Sequence, residues 1–174
     1  HEENIVNGTP EGNFEPEKSI TRAEFVKMAV SASPLKESAT DSKLYVSLFP
    51  DVKNTYWGAS YIHAAVNGKL INGYLDGTFR PNNQVKLEEA VTIVLKLLGY
   101  NSEDFLSPYP RGQLAKYKSL SLDTNITARE GDNLTRMQCM QLLYNALSTK
   151  TKQGQVYCTT LGYKTGSDGA LDYN

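Results

Sequence analysis

The sequence has very few of the side chains that usually hold a metal ion. It contains two cysteines, Cys139 and Cys158, and two histidines, His1 and His63. Two cysteines cannot complete a four-ligand zinc site by themselves, and the histidines lie far apart with no ligand spacing. The sequence therefore predicts no metal centre and no cofactor. Cys139 falls on the apolar face of a predicted helix, where a buried free thiol and a disulfide to Cys158 both remain open.

The chain also lacks an excess of charge and a long apolar run. Its formal net charge is −1 and its isoelectric point is near 6.2, which gives no basic footprint for nucleic acid. No apolar run reaches the 18 residues or so that a membrane-spanning helix needs. We therefore expect neither nucleic acid binding nor membrane insertion.

Catalytic motifs are missing as well. The sequence has no Gly-x-Ser-x-Gly elbow, no Walker motif and no dinucleotide-binding glycine pattern. Glu88 and Glu89 are adjacent on a predicted helix, so they point in different directions and form a poor acid and base pair. Asp51 and Asp76 are not part of a calcium loop with EF-hand spacing. We expect no enzyme activity; a wall-lytic enzyme would need a catalytic domain outside this chain.

What the sequence does contain is an internal repeat. Residues 48–100 form one complete unit, which the apolar spacing predicts to be a helix, a turn-rich arm and a second helix. Residues 5–32 match residues 70–97 at a displacement of 65 residues, and residues 134–147 match residues 85–98 at a displacement of 49. One such unit cannot bury both of its apolar stripes alone, so the copies are expected to share a core.

Short motifs recur in order along these copies. The complete copy opens with Phe-Pro-Asp-Val at residues 49–52, followed by Trp57, and its arm reads Gly-Tyr-Leu-Asp-Gly-Thr-Phe-Arg-Pro over residues 73–81. A Thr-Arg-Ala-Glu tetrapeptide stands at residues 21–24. These motifs resemble those of S-layer homology modules, and the resemblance covers roughly residues 1–148.

The resemblance implies a mainly helical fold. Three helix-arm-helix repeats would form a pseudo-threefold body with their second helices at the centre, followed by a short C-terminal β hairpin or extended tail. The repeats would occupy residues 1–40 (N-terminally incomplete), 46–100 (complete) and 101–148 (divergent), and the tail or linker residues 149–174. The resemblance also implies an extracellular place in a Gram-positive cell wall or surface layer.

Two of the predicted second helices begin with the same local pattern. Thr21 is followed three residues later by Glu24, and Thr135 by Gln138. This spacing predicts a capping box, in which each side chain accepts a hydrogen bond from the otherwise unpaired backbone N–H of the other residue.

Arg22 and Arg136 would then lie in a first helical turn, where the helix dipole and free N–H groups disfavour a cation. A bound anion would relieve that conflict, because unpaired donors beside a guanidinium suit a carboxylate or phosphate. The alternative is that each arginine pairs with a carboxylate of the protein, such as Asp51, Asp76 or Glu130. The resemblance implies the anion, namely the acidic, pyruvylated sugar of a secondary cell-wall polymer bound in grooves between repeats.

The second copy departs from this pattern. Leu87 takes the place of Arg22, so one of three possible sites lacks its guanidinium. Lys86 could supply a point charge but not a planar two-pronged contact. Glu88 would repel a bound acid.

Four further residues in the complete copy are open to two interpretations. Trp57 is either a packing residue or a platform for stacking a sugar. Asp51 is expected to be a cap, and the resemblance places it near the ligand groove. Gly73 and Gly77 are expected to supply positive φ angles in turns, and by resemblance they would let a ligand approach the backbone. The candidate ligand-binding residues are Arg22, Arg136, Trp57, Asp51, Gly73, Thr21 and Thr135.

Two segments outside the helices carry weaker signals. Residues 33–47 are mostly polar and rich in serine, which predicts a connector. Residues 155–163 carry β-forming side chains, and a Gly-Ser-Asp-Gly turn follows at residues 166–169. We expect a short hairpin or an extended clip there, or the start of a linker.

Two functions from different classes fit these observations. The first is a non-catalytic cell-wall binding module for a polysaccharide with acidic substituents. The second is a structural surface-layer or filament protein, in which the repeats have lost sugar affinity and mediate subunit assembly. The incomplete first copy and Leu87 favour the second.

Overall fold

The computed structural model of the protein describes residues 15–40, 46–165 and 171–172. Its helices are α1 (Arg22–Ser31), α2 (Lys36–Thr40), α3 (Ala59–Asn67), α4 (Leu87–Leu97), α5 (Arg111–Ser119), α6 (Arg136–Leu147) and α7 (Tyr157–Thr160). A 3₁₀ turn covers Ser102–Asp104, and two short strands, β1 (Lys164–Thr165) and β2 (Leu171–Asp172), pair antiparallel. The mainly helical fold class predicted from the sequence is confirmed.

Helices α1 and α6 begin at the predicted capping boxes. Thr21 Oγ1 accepts a hydrogen bond from Glu24 N at 3.1 Å, and the Glu24 carboxylate accepts one from Thr21 N at 3.0 Å. Thr135 and Gln138 repeat the exchange at 3.2 and 2.9 Å. Replacing such a cap by alanine typically costs about 1 kcal/mol, so the local sequence fixes where these two helices start.

The segments that lead into α1, α4 and α6 hydrogen-bond to one another in a closed ring. Ile20 N donates to Leu134 O at 3.2 Å, Leu134 N donates to Val85 O at 2.9 Å, and Val85 N donates to Ile20 O at 3.0 Å. All three residues are buried. Because each segment donates one bond and accepts one, the three central helices have the pseudo-threefold arrangement that the resemblance implies.

The helices that precede the arms lie outside this central trio. Helix α3 packs against α1, and α5 packs against α4. The outer helix of one copy therefore covers the inner helix of the copy before it. The shared core includes Phe25, Val26, Val30, Ala90, Val91, Val94, Leu142 and Leu143. Fully burying one large side chain of this kind contributes about 1.5–3 kcal/mol.

Residues 149–161 close the C-terminal end of the central trio. Tyr157 donates its hydroxyl to Ala32 O, just past the end of α1, at 2.7 Å. Lys152 N donates to Leu98 O, just past the end of α4, at 2.8 Å, and Tyr157 N donates to Thr149 O at 2.9 Å. This segment thus satisfies carbonyl groups that helix ends leave unpaired.

The predicted short C-terminal hairpin is observed, but two segments outside the main helices contain helical turns that the sequence did not predict. The connector at residues 33–47 contains the short helix α2. Residues 157–160, expected to be extended, form the helical turn α7, and the antiparallel pair comes only at β1 and β2. Burial of Tyr157 outweighs the β-forming character of its neighbours, because β propensity mainly reflects packing.

The cysteine question is settled in favour of free thiols. Cys139 and Cys158 are both buried and unbonded, so the disulfide alternative does not hold. Burial raises the pKa of the Cys139 thiol far above its usual value, which makes it a poor nucleophile.

Some sequence predictions lie outside the described residues. They are the part of the first repeat before residue 15, which begins the match of residues 5–32 to 70–97, and the turn at residues 166–169. Among the described residues, no helix has both the length and the apolar character needed to cross a bilayer.

Replacing Tyr157 by phenylalanine tests the C-terminal closure. The change deletes one hydroxyl and leaves the Ala32 carbonyl without that donor, so we expect the free energy of unfolding to fall by about 1–2 kcal/mol. Urea unfolding followed by circular dichroism measures this. Tyr163→Phe, at a tyrosine that is 44% exposed, is the matched control and should change stability by less than about 0.5 kcal/mol. Equal effects from the two substitutions would contradict this role for Tyr157.

Candidate functional site

The side chain of Arg22 lies between two repeats at the start of α1. Only 4% of the residue is exposed. Its Nε donates to Phe79 O at 3.1 Å, and its Nη1 donates to the Glu89 carboxylate. The guanidinium carbon lies 4.7 Å from the centroid of the Tyr74 ring and 4.8 Å from that of Phe79. We call these four residues, together with Arg80, the Arg22 cluster.

Glu89 connects several parts of this cluster. Besides Arg22, its carboxylate accepts hydrogen bonds from the Tyr74 hydroxyl at 3.0 Å and from Lys86 N at 3.1 Å. Arg22 is therefore paired with an acid of the protein, as the alternative interpretation expected, although the acid is Glu89 rather than Asp51, Asp76 or Glu130. A buried guanidinium needs such a partner, because an uncompensated buried charge costs several kcal/mol.

The expectation that the start of α1 offers free N–H donors is wrong. Arg22 N donates to Asn83 O at 2.8 Å, and Ala23 N donates to Pro81 O at 3.1 Å. The Glu24 N–H is taken by the Thr21 side chain. The arm of the second repeat thus caps the helix of the first, and these donors are not available to an anion.

The start of α6 repeats this geometry one step around the ring. Arg136 is 7% exposed, and its Nη2 lies 3.4 Å from a carboxylate oxygen of Glu24. Its backbone N–H donates to Lys18 O at 2.9 Å, and Met137 N donates to Pro16 O at 3.0 Å. In both places, the arginine at the first position of one central helix pairs with the acid at the third position of the next.

At the third junction of the ring, the central helix α4 does not begin with an arginine, as the sequence indicated. Leu87 is its first residue, is buried, and donates its backbone N–H to Asp132 O at 3.0 Å. The neighbouring Glu88 is not a free charge facing a ligand. Its carboxylate accepts hydrogen bonds from Gly131 N at 3.0 and 3.1 Å. This junction is closed by the protein's own groups.

Arg80 is the exposed cation of the Arg22 cluster, and the sequence analysis did not select it. Its guanidinium carbon lies 3.9 Å from the centroid of the Tyr74 ring, and its side chain is 43% exposed. Asp76 accepts a hydrogen bond from Arg80 Nη2 at 3.1 Å. Hydrogen bonds from Thr78, and then the Arg80 contact, hold the pKa of Asp76 down at about 2. Arg80 could have been selected as a candidate from the sequence, because it lies within the arm motif at residues 73–81.

Asp51 braces the arm that carries Arg80. Its carboxylate accepts from Phe79 N at 3.0 and 3.2 Å and from Arg80 N at 2.7 Å. Arg80 has a φ of 58°, a backbone conformation that costs energy for a residue other than glycine. Asp51 is thus a cap, as expected, but it caps a loop and holds Arg80 in place.

Tyr109 extends the polar surface beside the cluster. Partial burial, and then the negative charges of Glu88 and Glu89, raise its pKa to about 12, so the phenol stays neutral at physiological pH. The residue is 55% exposed. It lies just before α5 and was not selected from the sequence.

Trp57 and Gly73 differ from their simplest interpretations. Trp57 is 53% exposed and lies against Tyr56, with 5.4 Å between ring centroids, so it is not a core residue. Gly77 has the expected positive φ of 86°, but Gly73 does not. A Cβ on Gly73 would lie 2.4 Å from Phe49 Cε1 and 2.9 Å from Thr78 O. Gly73 is required for close packing within the arm.

The remaining candidates have structural partners. The hydroxyl oxygens of Thr21 and Thr135 accept hydrogen bonds in their capping boxes. Within the described ranges, no three His, Cys, Asp or Glu side chains cluster as metal ligands would.

Comparisons with a family model and with known proteins point to the same family. The model of the S-layer homology domain matches residues 1–26 and 48–91. The chain is 32% identical over 143 residues to the middle cell wall protein of Brevibacillus brevis, covering 82% of this chain and 13% of that protein. It is 30% identical over 162 residues to the surface layer protein of Brevibacillus choshinensis, covering 90% of this chain and 14% of that protein.

A third relative, the cellulosome-anchoring protein of Acetivibrio thermocellus, is 36% identical over 100 residues, which are 56% of this chain and 22% of that protein. The chain therefore spans only a small part of the length of these relatives. The motifs, the ring of three central helices and these matches agree, and the chain belongs to the S-layer homology domain proteins.

Proposed function

We propose that this chain is a non-catalytic module that holds a larger protein at the bacterial cell surface. Its ligand would be an anionic secondary cell-wall polysaccharide, whose pyruvate-type carboxylates bind at the junctions that contain Arg22 and Arg136. The observation that carries the proposal is the Arg22 cluster, where an exposed guanidinium, the Tyr74 phenol and loop backbone meet between repeats, with Tyr109 beside them. The names of the relatives, which include a cell wall protein and a cellulosome-anchoring protein, support the cell-surface location.

The proposal divides the chain as the motifs do, into repeats at residues 1–40, 46–100 and 101–148 and a tail at residues 149–174. The ring of backbone hydrogen bonds supports this division, because it takes one donor and one acceptor from each repeat. A ligand at a junction would then contact two repeats at once.

The surroundings of the two arginines of the cluster suggest different roles for them in ligand binding. Arg22 is buried and its charge is balanced by Glu89, so a ligand carboxylate would have to displace that acid to bind it directly. Arg80 lies on the outer side of the arm with its guanidinium partly open to solvent. We therefore assign the first contact with the acidic sugar to Arg80 and the edge of Tyr74, with Arg22 as the residue that positions them.

Trp57 and Tyr109 are suited to the sugar rather than to its acid group. Both are more than half exposed, and an exposed ring offers a flat apolar face together with a polar tip. Their place in the proposed site is at its margin, as stacking or hydrogen-bonding surfaces.

A second candidate function is assembly into a surface layer or filament. The observation in its favour is the closed junction at Leu87 and Glu88, which contains no arginine and is held by internal hydrogen bonds. Ordered polymers seen by light scattering and electron microscopy of the purified chain, in the absence of any wall, would support this function over the first.

Co-sedimentation with Gram-positive cell walls tests the first function. We expect Arg80→Ala to weaken binding by about tenfold, since a hydrogen bond to a charged group contributes about 1.5–3 kcal/mol. Arg22→Ala should also weaken binding, because Tyr74 and the arm lose their contacts with Arg22. Lys86→Ala is the matched control, because Lys86 is exposed and stands at the junction without an arginine; it should change binding less than twofold. Sedimentation that persists after chemical removal of the secondary polymer would count against the proposal.

A double-mutant cycle tests the pairing that supports the site. Arg22→Met and Glu89→Gln should each lower the free energy of unfolding by about 3 kcal/mol, because each breaks the ion pair and leaves the partner's charge uncompensated. The double variant should be less destabilised than the sum by at least about 1 kcal/mol. Additive losses in urea unfolding would show that the two side chains do not act as a pair.

A further inference from the structure

Three asparagines of the chain are followed directly by glycine, in the pairs at residues 7–8, 67–68 and 72–73. In such a pair, the glycine backbone nitrogen can attack the asparagine side chain and expel ammonia, because glycine has no Cβ to hinder the approach. The first pair lies outside the described residues. Asn67 and Asn72 are both exposed, so exposure does not distinguish the other two pairs.

The end of α3 protects the Asn67 pair. Asn67 is the last residue of that helix, and Gly68 N donates to Ala64 O at 2.9 Å. The chain beyond it is fixed as well, because Leu70 is buried and its backbone N–H donates to Ala65 O at 2.9 Å. These two bonds close the helix end in the manner of a Schellman motif. The Gly68 nitrogen can therefore attack the Asn67 side chain only after the helix end has opened.

The Asn72 pair has no such protection. Asn72 and Gly73 lie outside any helix or turn, in the stretch that leads into the arm of the complete repeat. Within the part of the chain that the structure describes, neither the Gly73 N–H nor the Asn72 side chain takes part in a hydrogen bond. No hydrogen bond has to break before the attacking nitrogen meets the side-chain carbonyl carbon.

The nearby pair of Asp76 and Gly77 could form the same cyclic intermediate, but its groups are occupied. The Gly77 N–H donates to a backbone carbonyl at 3.0 Å. The Asp76 carboxylate accepts hydrogen bonds from Thr78 and from Arg80, and these hold its pKa down at about 2. A carboxylate that stays ionised is a poor target for a nucleophile. Of these described pairs, the one at residues 72–73 is therefore the one whose reacting groups are free.

We propose that Asn72 is a site of spontaneous deamidation, with water as the co-reactant. The Gly73 backbone nitrogen loses its proton to solvent and bonds to Asn72 Cγ, the Cγ–Nδ2 bond breaks, and ammonia leaves with a proton taken from solvent. The product is a cyclic succinimide. Water then adds to either ring carbonyl, and the ring nitrogen regains a proton as its bond to that carbon breaks. The result is aspartate or isoaspartate at this position, and nothing is oxidised or reduced.

The isoaspartate product changes the arm more than the aspartate product does. In isoaspartate the main chain runs through the side-chain carbons, so it is longer by one carbon atom where the arm begins. Gly73 has little room to shift, since a Cβ on it would lie 2.4 Å from Phe49 Cε1 and 2.9 Å from Thr78 O. The same arm holds Arg80 in place. A loss of wall binding as the protein ages rests on the proposed function, whereas the reaction itself does not.

Mass spectrometry of the aged chain tests the proposal. The full chain is kept folded at mildly alkaline pH and then digested with trypsin, which separates the two pairs by cleaving after Lys69. We expect the Asn72 amide to become a carboxyl group at least about tenfold faster than the Asn67 amide, which corresponds to a difference of about 1.4 kcal/mol in the barrier. Electron-transfer fragmentation should place the isoaspartate at residue 72 rather than at Asp76.

The denatured chain is the control for the fold. In urea, both pairs are the same dipeptide with only residual local structure around them, so their rates should agree within about threefold. Asn72→Gln is the matched variant, because glutamine would need a larger ring, and its peptide should show no gain of a carboxyl group. Equal rates at Asn67 and Asn72 in the folded chain would overturn the proposal. A tenfold difference that persists in urea would also overturn it, because the fold would then not be the cause.

Melting temperatures test the effect on the arm. The isoaspartate fraction, separated by ion exchange, should melt more than about 4 °C below the fresh chain, whereas Asn72→Asp should shift the melting temperature by less than about 2 °C. Equal shifts would contradict the argument from the close packing of Gly73. Fresh chain that fails to sediment with walls would count against the proposed function, and the deamidation rates would still decide this proposal.

Discussion

The fold depends on the way each repeat completes the helix start of its neighbour. An α-helix leaves its first N–H groups without partners inside the helix. Here the N–H groups of Arg22, Leu87 and Arg136 all donate to carbonyls of the arm in the next repeat around the ring. A single repeat would expose these donors together with the apolar side of its inner helix. The three repeats therefore form one cooperative body, and the ring through Ile20, Val85 and Leu134 is its centre.

This capping between repeats constrains the position of the site. Since backbone carbonyls already occupy the helix starts, the arginines next to them act mainly through their side chains, and their burial requires an acid from the adjacent helix. The outer side of the same arm is the surface where we place the proposed ligand. Asp51 and Asp76 hold Arg80 there at a positive φ, so the loop is fixed before any ligand arrives. A fixed loop loses less conformational entropy on binding than a mobile one.

The sequence was sufficient for the features that depend on neighbouring residues. The main helices, the capping boxes at Thr21 and Thr135, and the positive φ of Gly77 follow from spacings of a few residues, and all are observed. The repeats showed that similar units must share a core, and the family resemblance implied their pseudo-threefold arrangement. The family resemblance supplied the ligand class and the candidate residues.

The carboxylates that pair with Arg22 and Arg136 could not be identified from the sequence. Arg22 and Glu89 are separated by 67 residues, and Arg136 and Glu24 by 112, so only the rotation between repeats brings them together. The same holds for Tyr109 beside Glu88, and for Tyr157, which closes the end of α1 although its local sequence favours a strand. The two interpretations of Trp57 could not be separated from the sequence, because local spacing does not tell on which side of the turn before α3 the indole lies.

The pairing rule also explains a detail of the third junction. The arginine at the first position of α1 pairs with the third position of α4, and that of α6 pairs with the third position of α1. By the same rule, the counterparts at the third junction are Leu87, the first residue of α4, and Gln138, the third residue of α6. Glutamine keeps the cap, because its amide oxygen still accepts from Thr135 N, but it carries no charge. A glutamate there would be a partly buried acid without a cation, which is costly. In the described part of the chain, two of the three junctions therefore pair an arginine with an acid, and the junction of Leu87 and Gln138 has neither charge.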